Sequence, residues 1–156
     1  MPRPSAATIR AQLACIVALM LIAAKAQAMF IVNQPWAKPA ARGAATEVYM
    51  DLTSSDGATL VGVATDIAAA VSIRGPGSSR SAKSVVLPPQ TLVALKPGGY
   101  RIALDRVVRA LRLGDRVMLT LTIQATDGTQ QAIPVNAEVR LRSPLEEERT
   151  HKHSHP

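Results

Sequence analysis

The fold class rests on residues 117–141, VMLTLTIQATDGTQQAIPVNAEVRL. Val117, Leu119, Leu121 and Ile123 alternate with Met118, Thr120, Thr122 and Gln124, the period-two pattern of a strand with one face buried and the other wet. Asp127-Gly128 follows, a pair suited to the positive φ angles of a tight hairpin. Residues 132–141 then return as the partner strand. Alternation, turn and alternation describe two antiparallel strands, and the rest of the chain repeats this arrangement in shorter pieces.

Upstream, β-branched and aliphatic residues come in brief runs bounded by Gly, Pro, Ser and Asp. These runs predict strands at 30–32, 47–53, 59–65, 84–87, 91–95 and 100–104. Within 47–53, Val48, Met50 and Leu52 fall on one face and Glu47, Tyr49 and Asp51 on the other. Ser54-Ser55-Asp56-Gly57 predicts a hairpin turn, 75–81 a flexible loop, Lys96-Pro97-Gly98-Gly99 a turn, and 105–111 a helical turn. Residues 68–73 fit either a strand or a short helix. Seven to nine short strands with frequent turn signals predict a single all-β domain, a sandwich or barrel.

The chain has 156 residues, 47% of them apolar and 19% charged, with a net charge of +7. That is enough apolar material for one core. Arg3 and Arg10 precede an apolar run at 13–24, and Ala26-Gln27-Ala28 supplies a small-x-small cleavage pattern, so 1–28 reads as a secretory signal. The run is about a dozen residues, under the ~20 that span a bilayer, and no stable membrane anchor is expected after cleavage. Acylation at Cys15 is disfavoured by the polar Gln12 and by the lack of a preceding apolar run. The expected exported protein starts at Met29, keeps a charge of +4 because Arg3, Arg10 and Lys25 leave, and contains no cysteine. A periplasmic location follows, with a β domain at 29–142.

From Ser143 the composition turns polar: Glu146-Glu147-Glu148, then His151, His153 and His155, the only histidines of the chain. With little to bury, 143–156 is expected to be a disordered, solvated tail. Alternating imidazoles there suit a Cu(II), Ni(II) or Zn(II) ion. Without a histidine or cysteine inside the domain, the usual nucleophilic triads are unavailable, and no phosphate-binding loop is present, so the chain does not read as an enzyme. Arg101, Arg106, Arg109, Arg112 and Arg116 form a basic segment. It lacks the aromatics that stack on bases, and nucleic acid is not an expected partner.

In order along the chain, Gln34-Pro35-Trp36-Ala37-Lys38, Gly43-Ala44-Ala45 through Val48-Tyr49-Met50, Leu60-Val61-Gly62-Val63, Leu95-Lys96-Pro97-Gly98-Gly99-Tyr100, and Leu113-Gly114-Asp115 with Leu119-Thr120-Leu121-Thr122 resemble the PCu(A)C periplasmic copper chaperones. The likeness runs from about Val32 to Val139. It implies a cupredoxin-like β-barrel holding Cu(I) between two histidines and two methionines, and delivering it to the copper centre of a respiratory oxidase or another periplasmic copper protein. The family's His-x-Met after the Pro-Gly-Gly-Tyr turn reads Arg101-Ile102-Ala103 here. Its other histidine corresponds to Arg74 or lies in a shortened loop, and its other methionine falls near Ser79. Between Met50 and Met118 there is no His, Met or Cys, and arginine has no lone pair to give a metal. Two expectations follow. One is a copper chaperone-like protein with a degenerate core site and copper binding moved to His151, His153 and His155. The other is a metal-free module holding an anion or acidic partner through Arg74 and Arg101. Met50 and Met118 are expected to be core packing.

Overall fold

A computed structural model describes residues 28–77 and 80–152. Its elements are β1 (Phe30–Ala37), β2 (Thr46–Ser54), β3 (Ala58–Ala64), β4 (Ala68–Arg74), β5 (Ser81–Ala82), β6 (Val85–Leu87), β7 (Val93–Leu95), β8 (Arg101–Val107), β9 (Arg116–Ala125), β10 (Gln130–Val139) and a helix, α1 (Pro144–Lys152). The strands form one sheet in the order β5-β4-β8-β2-β1-β10-β9-β3-β6, with β7 also beside β2. The sheet curls into a nearly closed barrel, bringing β3 back against β4. This is the all-β, single-domain architecture expected. The expected signal at 1–28, with Cys15, lies outside the described residues except for Ala28.

The β9–β10 hairpin is as the alternation predicts. It pairs from Gln124↔Gln130 to Arg116↔Glu138, and Gly128 has a φ of 86°. Val117, Leu119, Leu121 and Ile123 are buried. Burying such a side chain is worth about 1.5–3 kcal/mol, so a one-residue slip that exposed all four is strongly disfavoured. Pro134 is tolerated because β1 pairs with β10 only at Trp36↔Glu138 and Ala37↔Val139, leaving β10 a free edge at the proline.

Four expectations change. The 54–57 turn is not a hairpin: Gly57 has the left-handed φ (84°), but β2 is already flanked by β1 and by β7 and β8. The turn therefore sends β3 across the barrel to β9 and β6. Residues 105–107 are strand rather than helical turn. Arg106 adopts a φ of 54°, which breaks the two-residue alternation as a bulge does. Leu104, Val107 and Leu111 then all point inward, at spacings that imitate a helix. β1 reaches Ala37 because an irregularity between Asn33 and Trp36, with Gln34 at φ 48°, absorbs Pro35.

The tail is helical over Pro144–Lys152. The Ser143 carbonyl accepts from the amides of Glu146 (3.0 Å) and Glu147 (3.2 Å), proline occupies the first helical position, and acidic residues fill the first turn. Arg140 donates to Glu147 (2.6 Å) and Glu138 (3.1 Å), joining the helix to β10.

One irregularity positions the site. β7 and β8 lie along the same edge of β2, with Leu95 opposite Met50 and Ile102 opposite Val48. Residues 96–100 leave the sheet opposite Tyr49. Pro97 and Gly98 (φ 79°) form the corner, and the Gly99 amide donates to the Lys96 carbonyl (3.0 Å), the geometry of a turn that needs glycine at its third position.

Candidate functional site

The re-entry of the chain after that detour sets Arg101 at the head of β8, directly across from Arg74 of β4. Both arginines singled out from the sequence line one cleft of roughly 420 Å³ on the outer face of the sheet, with Lys38, Glu47 and Asp105. Arg101 is largely enclosed, its side chain 15% exposed. Its Nε donates to Glu47 Oε1 at 2.7 Å, and its Nη1 donates to the carbonyls of Gly75 (2.9 Å) and Gly99 (3.1 Å). One guanidinium thus ties the end of β4, the glycine turn and β2 together. Arg74 Nη2 lies 3.7 Å from Asp105 Oδ2.

Glu47 is the hub. Its second carboxylate oxygen accepts from the Tyr49 hydroxyl and lies 3.8 Å from Lys38 Nζ. Partial burial pushes the Glu47 carboxyl up, but the hydrogen bonds from Tyr49 and Arg101 and the charges of Arg101 and Lys38 outweigh it and hold the group below the ordinary carboxylate range. Burial, the hydrogen bond to Glu47 and that carboxylate's charge all raise the Tyr49 phenol far above the usual tyrosine value. The alternation sets Tyr49 on the face of Glu47 and Asp51, away from Val48 and Met50, yet it is buried. Trp36, its partner in register on β1, packs its ring 4.7 Å away at 41°, and the Lys38 ammonium sits 5.4 Å above the phenol ring.

This constellation holds three cations and two carboxylates, with no imidazole, thiol or thioether. Met50 is buried in the barrel core, as expected of a packing residue. Met118 is not: it is half exposed on the outer face of β9, because the alternation that buries Val117 and Leu119 turns it outward. Among the described residues no group of three or more His, Cys, Asp or Glu side chains could hold a metal ion. His151 lies in α1, one turn beyond Glu147. His153, His155 and Ser79 lie outside the described residues. Sequence reading missed Glu47, Lys38, Tyr49 and Asp105 as members of the site. The outward phase of Glu47 on β2 was the one available signal.

The barrel has the fold of the PCuAC domains. The apo PCuAC domain from PmoF1 superposes with a TM-score of 0.62 at 23% identity, covering 72% of this chain and 94% of that one. The copper-bound PCuAC domain from PmoF2 gives 0.59 at 19%, covering 72% and 93%. The Cu(I) form of DR1885 from Deinococcus radiodurans gives 0.53 at 27%, covering 78% and 85%. No match is found among curated proteins. The family profile described as "Putative lipoprotein LpqE-like" matches residues 30–137, and the chain belongs to that LpqE-like family.

Proposed function

We propose that this protein is an exported, copper-handling domain whose core position is filled by a fixed guanidinium, and whose copper binding resides in His151, His153 and His155. The observation that carries the reading is Arg101. It stands where the resemblance puts a histidine ligand, and it spends its donors on Glu47 and on the Gly75 and Gly99 carbonyls. A protonated guanidinium cannot ligate copper. The remaining groups are an ammonium, carboxylates and a phenol that resists ionisation, a hard set that does not suit Cu(I). The core donors do not fit the cargo of the copper-bound relatives. Imidazoles on the C-terminal segment suit Cu(II), and the recipient would be another exported copper protein, such as the copper centre of a respiratory oxidase. Cleavage after Ala28 would deliver the domain to the periplasm. The role is binding and delivery rather than catalysis.

The test compares the chain from Met29 with a version ending at Ser143, titrated with Cu(I) and Cu(II) against a chromophoric chelator. Stoichiometric Cu(II) binding that vanishes on truncation is expected. Tight Cu(I) binding by the shortened form would overturn the claim about the core, and no copper binding by either form would end the copper reading.

The cross-strand placement of Arg74 and Arg101 in one cleft favours a second reading, a metal-free module for an anion or acidic partner. Both arginines already face carboxylates, so such a ligand would have to displace Asp105 or Glu47. Salt-sensitive partner binding that weakens in Arg74→Ala and Arg101→Ala supports it, and binding unchanged at low ionic strength refutes it.

A further inference from the structure

One end of the barrel is built from the segments 38–45, 65–67, 108–115 and 140–143. Ala40 bridges Leu111, the Val108 amide donates to the Ile67 carbonyl (2.9 Å), the Gly114 amide to Val139 (3.0 Å) and the Arg140 amide to Ala37 (2.9 Å). Arg42, Arg106, Arg112 and Arg142 at this end make no side-chain ion pair among the described residues. Arg109, Arg116 and Arg140 answer Asp115, Glu138 and Glu147. The opposite end, at 55–57, 88–92 and 126–129, holds Asp56 and Asp127 and no basic residue. The barrel is therefore charged unevenly along its axis.

The basic end also carries aliphatic side chains that reach into water: Val108 is 51% exposed, Leu113 58% and Leu141 69%. Each has an arginine as chain neighbour, in Val108-Arg109, Arg112-Leu113 and Leu141-Arg142. Their segments are held. Leu111 is buried and anchors the first. Gly114 (φ 86°) and the Asp115 carboxylate, which accepts from the Arg112 amide at 2.8 Å, fix the turn that presents Leu113. Leu141 follows Arg140, which is pinned to Glu138 and Glu147. Asp66 and the acids of α1 offset part of this charge: Glu147 pairs with Arg140, and α1 itself carries Arg149 and Lys152 beside Glu146, Glu147 and Glu148, so the sum over this end stays positive.

We propose that this end of the barrel docks on an anionic phospholipid surface, with Val108, Leu113 and Leu141 entering between headgroups and the neighbouring arginines at the phosphates. Aliphatic tips paired with cations are what such an interface rewards: apolar area is buried at the acyl boundary while basic groups meet negative headgroups. An acidic soluble partner would use the arginines and leave the three aliphatic tips without a purpose. Among the described residues no helix is long and apolar enough to cross a membrane.

The barrel and its core lie within 30–139, so the chain from Met29 is the form to test, by co-sedimentation with vesicles. Equal parts of phosphatidylglycerol and phosphatidylcholine should bind it and phosphatidylcholine alone should not. Arg112→Ser with Arg142→Ser should weaken partitioning by about fivefold per arginine at low salt. Val108→Ser with Leu113→Ser and Leu141→Ser should also weaken it while the far-ultraviolet strand signal is unchanged. Failure to bind anionic vesicles at low salt overturns the proposal. So does full binding by the triple serine variant, or stripping from vesicles by soluble polyglutamate as readily for that variant as for the native chain, which would mark an acidic macromolecule as the partner.

Discussion

Replacing Arg101 with methionine keeps a long side chain and removes the charge that Glu47, Gly75 and Gly99 share. Breaking a buried pair costs about 3–5 kcal/mol, because a charge is left without its partner. An exposed pair is worth under about 1 kcal/mol. The Arg101 side chain is 15% exposed and that of Glu47 is 32%, which places the loss between these limits, at about 2–3 kcal/mol. For a domain of this size that is a melting temperature lower by roughly 10 °C. Urea denaturation of Arg101→Met, Glu47→Gln and the double variant at pH 7 should give a coupling of about 1–2 kcal/mol. The coupling should also depend on pH. The Glu47 carboxyl titrates below its ordinary value in the folded state, so its contribution is complete above the unfolded value and fades as pH falls through the lower folded one. The native and Arg101→Met stability curves should therefore converge in acid. A loss below about 0.5 kcal/mol, the size of an ordinary surface change, or strictly additive single variants, would refute the view of Arg101 as a structural tie.

Tyr49 should stay un-ionised where an ordinary phenol titrates, near pH 10, so alkaline difference absorbance of the folded protein should be the same in Tyr49→Phe. Since its folded value is raised, the stability that Tyr49 contributes should be complete below the ordinary value and decline above it. Gly57→Ala and Gly43→Ala both put a side chain on a left-handed residue, but only at Gly57 does the new Cβ meet a neighbour, Pro89 Cδ at 3.3 Å, whereas nothing lies within 4 Å at Gly43. Urea midpoints should show a loss of about 1 kcal/mol at Gly43 and more at Gly57, and equal losses would show that Pro89 yields freely.

The β9–β10 hairpin was legible because three local signals agree there: strict alternation, Asp-Gly, and a returning alternating segment. The 54–57 turn carried the same Asp-Gly signal and misled, since a turn dipeptide specifies a local reversal and not which strand the next one will pair with. That was decided by β2 having both edges occupied. At Arg106 one left-handed residue shifted the phase of Leu104 and Val107, and no composition rule marks an arginine for such a bulge. In the tail, low hydropathy hid a helix that rests on its Ser143 start, its acidic first turn and an ion pair from Arg140. As for the site, the residues at 74 and 101 could be named in advance, but their pairing across β4 and β8 is a matter of register between distant segments. Glu47 and Tyr49 became visible as partners only when the detour at 96–100 placed Arg101 beside Glu47.

That detour leaves the sheet register untouched on both sides, with Leu95 held opposite Met50 and Ile102 opposite Val48. The part of it ahead of the Gly99 carbonyl and Arg101 can therefore vary in length and composition. Doubling a loop adds only about 0.6 kcal/mol of closure cost, and neither flanking strand has to move. Insertions, deletions or replacement at 96–98, which keep Arg101 and the Gly99 carbonyl it binds, would rewrite what the outer face presents while the barrel folds as before. An architecture with its recognition segment spliced into an otherwise continuous strand can exchange one chemistry for another by small edits, and the same splice point is where an engineer would graft a new binding loop.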